Sequence, residues 1–456
     1  MNRLFKKIMF LIACTLFSLG VQAQETDWKV LTHYDKKAIK TQLTERLTKY
    51  VTFNTQANEN ATKVPSSSGQ KKLAKMLAKE LKKYGAENVK IDAHSIVTAE
   101  IPANVANNAP VIAFFAHMDT ATDTSGANVK PQIHTNYRGG DIVINAEKNL
   151  VLNSLNSPQL NRAKGHDIVT ASGGTLLGAD DKNGLAIIMT FVQFLYDHPQ
   201  VKHGTIKIAF TPDEEIGEGI GKFDVDSFGA DYAYTVDGGD KGEIINETFN
   251  ARSFTAVFKG NRGFHPGSAM NSPFSDNLLM ASDFHTLLPR HQRPETTSGK
   301  RGFILVDSII TEGNTSTVKG ILRAFSDEET QTLTDTVTRA FQTVKGINPK
   351  GTGFSLNWKE EYNNMYKALP EKSYQMAQAA MEAEGIAPKL VAARGGTDGA
   401  GLSVMGLPTP DIFAGMYNIH GEMEYADIDV MEDSFRTLMR LSSLWLEQEK
   451  ESQSLQ

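Results

Sequence analysis

The seven residues Pro110-Val-Ile-Ala-Phe-Phe-Ala116 carry no polar side chain, and they run straight into His117-Met-Asp119. Successive side chains of a strand point to opposite faces, so a strand this apolar is buried on both. That in turn requires helices above and below the sheet. Two further runs repeat the pattern. Thr205 to Phe210 ends at Thr211-Pro-Asp-Glu-Glu215, and Tyr232 to Val236 ends at Asp237. Between the first run and the second, Leu185, Ile188, Met189, Phe191, Val192 and Leu195 recur at helical spacing after Asp181. Strands alternating with helices predict an α/β catalytic domain, a mixed sheet flanked by helices, with polar residues gathered where strands end.

Two helices are expected ahead of this unit. One runs from Lys36 to about Val51. The other follows cap candidates Ser66 to Ser68, carries Leu73, Met76, Leu77, Leu81 and Tyr84 on one face, and stops at Gly85. From Ile244 to Asn357 the texture changes. Strand-like runs (Ser253 to Lys259, Gly302 to Ile310) mix with helical ones (Phe274 to Leu288, Glu328 to Val344), the pattern of an inserted α+β unit. A helix from Leu369 to Ala383, a strand from Lys389 to Ala393 and a helix near Met431 to Glu447 then resume the first unit. A chain of 456 residues is too long for one compact core. The expected division is therefore 24–243 and 358–456 for the catalytic domain, with 244–357 as an inserted lid.

Residues 1–23 have a separate logic. Arg3, Lys6 and Lys7 precede an apolar run from Ile8 to Val21, and Val21-Gln22-Ala23 offers small residues for cleavage. This layout predicts a signal peptide, hence an exported product and a periplasmic location. Leu11-Ile12-Ala13-Cys14 also resembles a lipoprotein cleavage box, but the apolar run continues past Cys14, and cleavage after Ala23 is favoured. That cut takes the formal net charge from −6 to −9, because three positive charges leave and no negative one does. It also removes the only cysteine, which excludes disulfides and thiolate chemistry from the mature chain. An acidic chain without basic clusters is a poor partner for nucleic acid. No stretch after residue 25 is long and apolar enough to span a membrane.

The chemistry resides at the strand ends. Asp119 stands two residues from His117, on the same side of a strand, where its carboxylate can fix the imidazole tautomer and leave the other nitrogen for a metal. The pair alone could equally be a surface contact. In Gly178-Ala-Asp180-Asp181-Lys-Asn-Gly184 one aspartate suffices to cap a helix, and the second is free to bridge two cations. Glu214-Glu215 sets two carboxylates side by side, which repel unless a cation or proton offsets them. One can bind metal while its neighbour faces the water to be activated. Asp237 and His420 (in Asn418-Ile-His420-Gly421) are singly unremarkable loop residues. Taken together, two histidines and three carboxylates suit a pair of zinc ions sharing one carboxylate. Gly217-Glu-Gly219-Ile-Gly221-Lys222 lacks the spacing of a phosphate loop, and no Gly-x-Ser-x-Gly elbow is present.

From about Leu43 to Leu446 the chain resembles the peptidase T family, the tripeptide aminopeptidases among the co-catalytic dizinc exopeptidases. The resemblance is carried by Asn136-Tyr-Arg-Gly-Gly-Asp-Ile142, Thr175-Leu-Leu-Gly-Ala-Asp-Asp-Lys182, Ala209-Phe-Thr-Pro-Asp-Glu-Glu215, Tyr234-Thr-Val-Asp-Gly-Gly239 and Arg394-Gly-Gly-Thr-Asp-Gly-Ala400. It implies two zinc ions per subunit: His117 and Asp237 on one, Glu215 and His420 on the other, and Asp180 bridging. It implies that Asp119 orients His117 and that Glu214 is the general base. It also implies that His265, in Asn261-Arg-Gly-Phe-His265-Pro-Gly267, reaches a reaction centre from the lid of a homodimer partner, with Asn261 beside it at the substrate. Arg394 would meet the substrate's C-terminal carboxylate. The chain departs from the family pattern at Met416, at Glu422-Met423 and in its N-terminal segment. The implied activity is removal of the first residue of a short peptide, with tripeptides the expected substrates; a dipeptidase, a carboxypeptidase, an N-acyl amino acid amidohydrolase and a non-catalytic peptide-binding protein are the alternatives.

Overall fold

The computed structural model describes residues 34–449. The expected signal peptide (1–23) and Cys14 lie outside them. The catalytic unit is built on an eight-stranded mixed sheet. Its order is Glu87–Ile91, Val97–Ile101, Ile206–Thr211, Ile112–His117, Tyr232–Gly238, Asp411–Phe413, Glu243–Glu247 and Lys389–Ala392. The Ile112–His117 strand pairs in parallel with Ile206–Thr211 on one side and Tyr232–Gly238 on the other.

The apolar run ending at His117 does what its composition demands. Ile112, Phe114 and Ala116 point into the larger core, shared with the helices Lys36–Tyr50, Ala179–Asp197, Glu371–Ala383 and Ile428–Leu446. Ala113 and Phe115 point the other way, onto Phe223, Phe228, Leu402 and Leu407. Phe114 packs edge-on against Phe191, and Phe115 against Phe223 and Phe228. Burial of one such ring contributes about 1.5–3 kcal/mol, so the strand is fixed from both sides. The Ala179–Asp197 helix is buried along nearly its whole length, which matches its apolar content.

The inserted unit is a four-stranded antiparallel sheet in the order Phe303–Glu312, Thr315–Ala324, Asn250–Lys259, Gly353–Tyr362. The helices Asn277–Leu287 and Asp327–Ile347 cover one face through Phe254, Phe258, Phe284, Val337 and Phe341. Its edges differ by several residues from the sequence expectation of 244 and 357. Glu243–Glu247 hydrogen-bonds within the eight-stranded sheet, whereas Gly353–Tyr362 pairs with Asn250–Lys259. Alternation is equally apolar on either side of these junctions, so composition does not mark them. A further small sheet, Met416–Tyr417, Tyr425–Asp427, Ile168–Thr170 and Gln132–His134, has no sequence forecast. It carries the chain around His420.

Candidate metal centre

Because the three central strands are parallel, their carboxyl ends open on one edge of the sheet, where α/β proteins hold ligands. His117 is the last residue of its strand, the Glu214–Ile216 turn follows Thr211, and Asp237 is the next-to-last residue of the third strand. Asp180 and Asp181 sit at the head of the Ala179–Asp197 segment with non-helical backbone, and the peptide bond between them is cis. They divide the work. Asp181 Oδ1 accepts from Gly184 N, the capping role, and its Oδ2 accepts from His117 N. Gly184 has no room for a side chain, since a Cβ there would lie 2.2 Å from the Val236 carbonyl oxygen. Asp180 is left to face inward.

The geometry around Asp180 organises the site. Its Oδ1 lies 2.8 Å from His117 Nε2, and its Oδ2 lies 3.5 Å from His420 Nε2. His117 Nε2 is also 3.6 Å from Asp237 Oδ1, and His420 Nε2 is 3.0 Å from Glu215 Oε2. Two clusters of ligand atoms therefore share one carboxylate. Buried Asp237 Oδ1 and Glu215 Oε1 have no hydrogen-bond partner, as expected of atoms that await a cation. The charges report the same crowding. Burial and the neighbouring Asp181 and Asp180 push Asp237 well above the usual carboxylate range, with His117 opposing. Burial and Asp180 likewise raise Glu215. Burial disfavours a charged His117, yet Asp237, Asp119 and Asp180 outweigh it and hold the imidazole pKa well above its ordinary value. Hydrogen bonding to Asp180 and Glu215 pushes His420 to about 11. Divalent metal would replace those protons and satisfy the same carboxylates.

Supporting contacts hold this edge in place. Asp119 is fully buried, with Oδ1 3.4 Å from His117 Nδ1. Its two oxygens also accept from the backbone amides of Glu214 and Glu215, at 3.1 Å each. The Glu214 carboxyl is pushed well above its usual range by burial and by the negative charges of Asp398, Glu215 and Asp180, with His117 opposing. A raised carboxyl pKa of this kind is what a proton-transfer group working near neutrality requires. Asp213, left-handed at φ 55°, is gripped by Ser66 N, Ser66 Oγ and Gln70 Nε2, all donating to its carboxylate. Glu424 accepts from three backbone amides, Leu177, Gly178 and Asp180. Sequence reasoning assigned no role to Asp213 or Glu424. Their one local signal is that each stands within four residues of a motif residue.

The remaining sequence candidates lie elsewhere. His265 is exposed in the inserted unit, where its Nδ1 accepts from Gly267 N. Asn261 pairs with Ser275 and accepts from Gly263 N. Among the described residues, neither has a hydrogen bond or ion pair to the cluster. Arg394 donates from Nη1 to the carbonyls of Gly299 and Arg301 and from Nη2 to Thr297 Oγ1, with its guanidinium over the rings of Phe249 and Phe303. It clamps the inserted unit to the catalytic one.

Residues 170–443 match the model of peptidase family M20/M25/M40. Peptidase T of Clostridium acetobutylicum is 43% identical over 407 residues, covering 88% of this chain and 98% of the relative. Peptidase T of Parabacteroides distasonis is 43% identical over 406 residues, with the same coverage. The chain belongs to peptidase family M20/M25/M40, in its peptidase T branch. It is a metal-dependent hydrolase, a metallo-aminopeptidase. Among solved structures it is similar in fold to the aminopeptidase PepT of Bacillus cereus (TM-score 0.69, 20% identity, covering 89% of this chain and 98% of that one). It is likewise similar to a dinuclear metal binding M20 peptidase of Bacillus subtilis (TM-score 0.61, 16% identity, 90% and 99%).

The peptidase T relatives, among them that of C. acetobutylicum, give the expected signal peptide and periplasmic product no support. That expectation rested on the order of basic residues, an apolar run and the small residues of Val21-Gln22-Ala23. No helix among the described residues is long and apolar enough to cross a membrane.

Proposed function

We propose that this M20 peptidase removes the amino-terminal residue of short peptides, tripeptides foremost, at a centre holding two zinc ions. His117 and Asp237 would hold one, Glu215 and His420 the other, and Asp180 both. The observation that carries this is the Asp180 carboxylate, each oxygen of which faces a different histidine. Two imidazoles and three carboxylates are a donor set suited to zinc, and the unpartnered oxygens of Asp237 and Glu215 point to cations rather than protons.

Bound zinc would supply an acidified water, with a pKa of about 7, as nucleophile. The chain's own residues do the rest. Asp119 holds the His117 ring and, through the amides of Glu214 and Glu215, the turn that carries the base. A Glu214 carboxylate oxygen accepts the proton of the attacking water and returns it to the leaving amine. His265, brought from the lid of a second subunit, would donate to the developing oxyanion, and Asn261 would line the substrate beside it. A homodimer is supported by the apolar residues the inserted unit leaves exposed, Leu278, Leu279 and Leu287 on one helix and Ile309 and Ile310 on its edge strand.

Glu214→Gln tests the assignment. The variant should keep its zinc while kcat falls by about 10²–10⁴-fold, the usual worth of a positioned proton-transfer group. Near-normal turnover removes Glu214 from the role. A panel of free tripeptides, dipeptides and N-acetylated tripeptides defines the substrate, since an aminopeptidase should reject the blocked terminus.

A further inference from the structure

The two histidines at the centre are held differently, and the loop after Asp119 reaches both. Asp119 Oδ1 stands 3.4 Å from His117 Nδ1. Four residues on, Asp123 Oδ2 stands 3.2 Å from His420 Nδ1, while His420 Nε2 faces Glu215 and Asp180. The adjacent Thr124 Oγ1 donates to the His420 backbone carbonyl at 2.7 Å. We infer that Asp123 is the positioning residue of His420, as Asp119 is of His117, so that residues 119–125 form one arm orienting both metal-binding imidazoles. This rests on the two-metal assignment above.

The chemistry requires such a group. An imidazole that gives Nε2 to a metal carries its proton on Nδ1, and an acceptor there fixes the tautomer and the ring plane while making Nε2 more basic. His420 needs the help more than His117 does. It is 39% exposed against 2% for His117, and its backbone is left-handed at φ 67°, where a residue with a Cβ is strained. Thr124 holds that backbone and Asp123 the ring.

An exposed carboxylate beside a histidine is ordinarily worth little, because two mobile groups must be ordered together. Here the arm is already ordered. Gln56 Nε2 lies within 3.0–3.4 Å of the carbonyl oxygens of Ala121, Thr122 and Thr124, and donates into that set. Thr122 Oγ1 donates to Glu59, Ala57 N to the Thr120 carbonyl, and Leu176 N to the Ser125 carbonyl. The carboxylate is therefore presented at a fixed place rather than recruited.

The test uses the full-length enzyme stripped of metal, with zinc added back against a competing chelator, for wild type and the variants D123A, D123N and H420A. Asp123 is 67% exposed, so D123A should unfold in the apo state at the same denaturant concentration as wild type. One zinc equivalent should bind D123A unchanged and the other about 10–100-fold more weakly, the usual effect of losing an outer partner of a ligand. D123N, which keeps an acceptor without the charge, should fall between. Two unchanged zinc affinities in D123A, with one equivalent lost in H420A, overturn the inference and leave the two-metal assignment standing. Two unchanged affinities in H420A remove both. A D123A effect confined to KM for peptide, or an equal loss at both zinc sites with an earlier apo transition, also overturns it.

Discussion

Glu424 offers a direct measure of what the centre's support is worth. The side chain is 1% exposed and lies four residues beyond His420. Its Oε2 accepts from the amides of Leu177 and Gly178, at 2.7 Å each, and its Oε1 from the amide of Asp180, at 3.1 Å. Glu424→Gln preserves shape and volume but leaves one acceptor oxygen. Turned to keep the two shorter bonds, the new amide sets its NH₂ against the Asp180 N–H, donor facing donor. A buried amide without an acceptor costs about 1–3 kcal/mol. Taking about 2 kcal/mol, and tenfold for every 1.4 kcal/mol, local opening of the 177–180 turn should become about 30-fold more frequent. Hydrogen exchange read by mass spectrometry on peptides spanning 175–182 reports that opening directly. Peptides from the inserted unit serve as the internal control, because Glu424 makes no hydrogen bond there. Metal retention should fall in step, since the same turn places Asp180. Exchange at 175–182 within twofold of wild type would refute the assignment of these three bonds as the turn's anchor.

Arg394→Ala should free the segment held by its contacts to Gly299, Arg301 and Thr297; limited trypsin digestion should then cut faster after Lys300 or Arg301, and an unchanged rate argues against a clamp. His166 Nδ1 lies 2.7 Å from Asp427 Oδ2, and that hydrogen bond, against opposing burial and with help from Asp429 and Asp433, raises its pKa above the usual 6.5. Asp427 itself is pushed up by burial, with His166 only partly offsetting this, so the histidine carries the trend. A folded pKa above the unfolded one gives stability that is fully present below about pH 6.5 and is lost as pH rises through the folded value. The unfolding free energy of wild type minus that of His166→Asn, followed from pH 5.5 to 8.5 (a range of about three units around the ordinary imidazole value), should therefore shrink with rising pH. A difference that grows refutes it.

What could be read in the sequence was what a short window contains. The Pro110–Ala116 run carries its own evidence of two-sided burial, and Phe114 and Phe115 do enter opposite cores. A polar residue directly after such a run must stand at the sheet's edge, which is how His117, Glu214, Glu215 and Asp237 could be named together. The small sheet that carries the chain around His420 was not legible, because Met416–Tyr417 and Ile168–Thr170 are too short to show any period. The edges of the inserted unit were missed for a related reason. Glu243–Glu247 and Asn250–Lys259 are consecutive strands with similar composition, and only their partners assign them to different sheets.

The groups that escaped the sequence altogether act across long separations and on atoms every residue possesses. Glu424 works on the backbone amides of residues 244–247 positions away, and Thr124 on a carbonyl 296 positions away. No motif encodes a bond to a backbone amide, since the recipient can be any residue. Metal-binding side chains are different, because zinc accepts few donor types and so restricts identity at each position. Asp119 shows both kinds of role in one side chain. Its spacing from His117 is a readable motif, while its grip on the Glu214 and Glu215 amides emerges only when the 112–117 and 206–211 strands lie side by side. The second role makes the first more useful. By holding the histidine and the Glu214 turn with the same carboxylate, Asp119 fixes the distance between the proposed metal ligand and the proposed base. Replacing Asp119 by Asn, which keeps one acceptor, must then disturb at least one of the two.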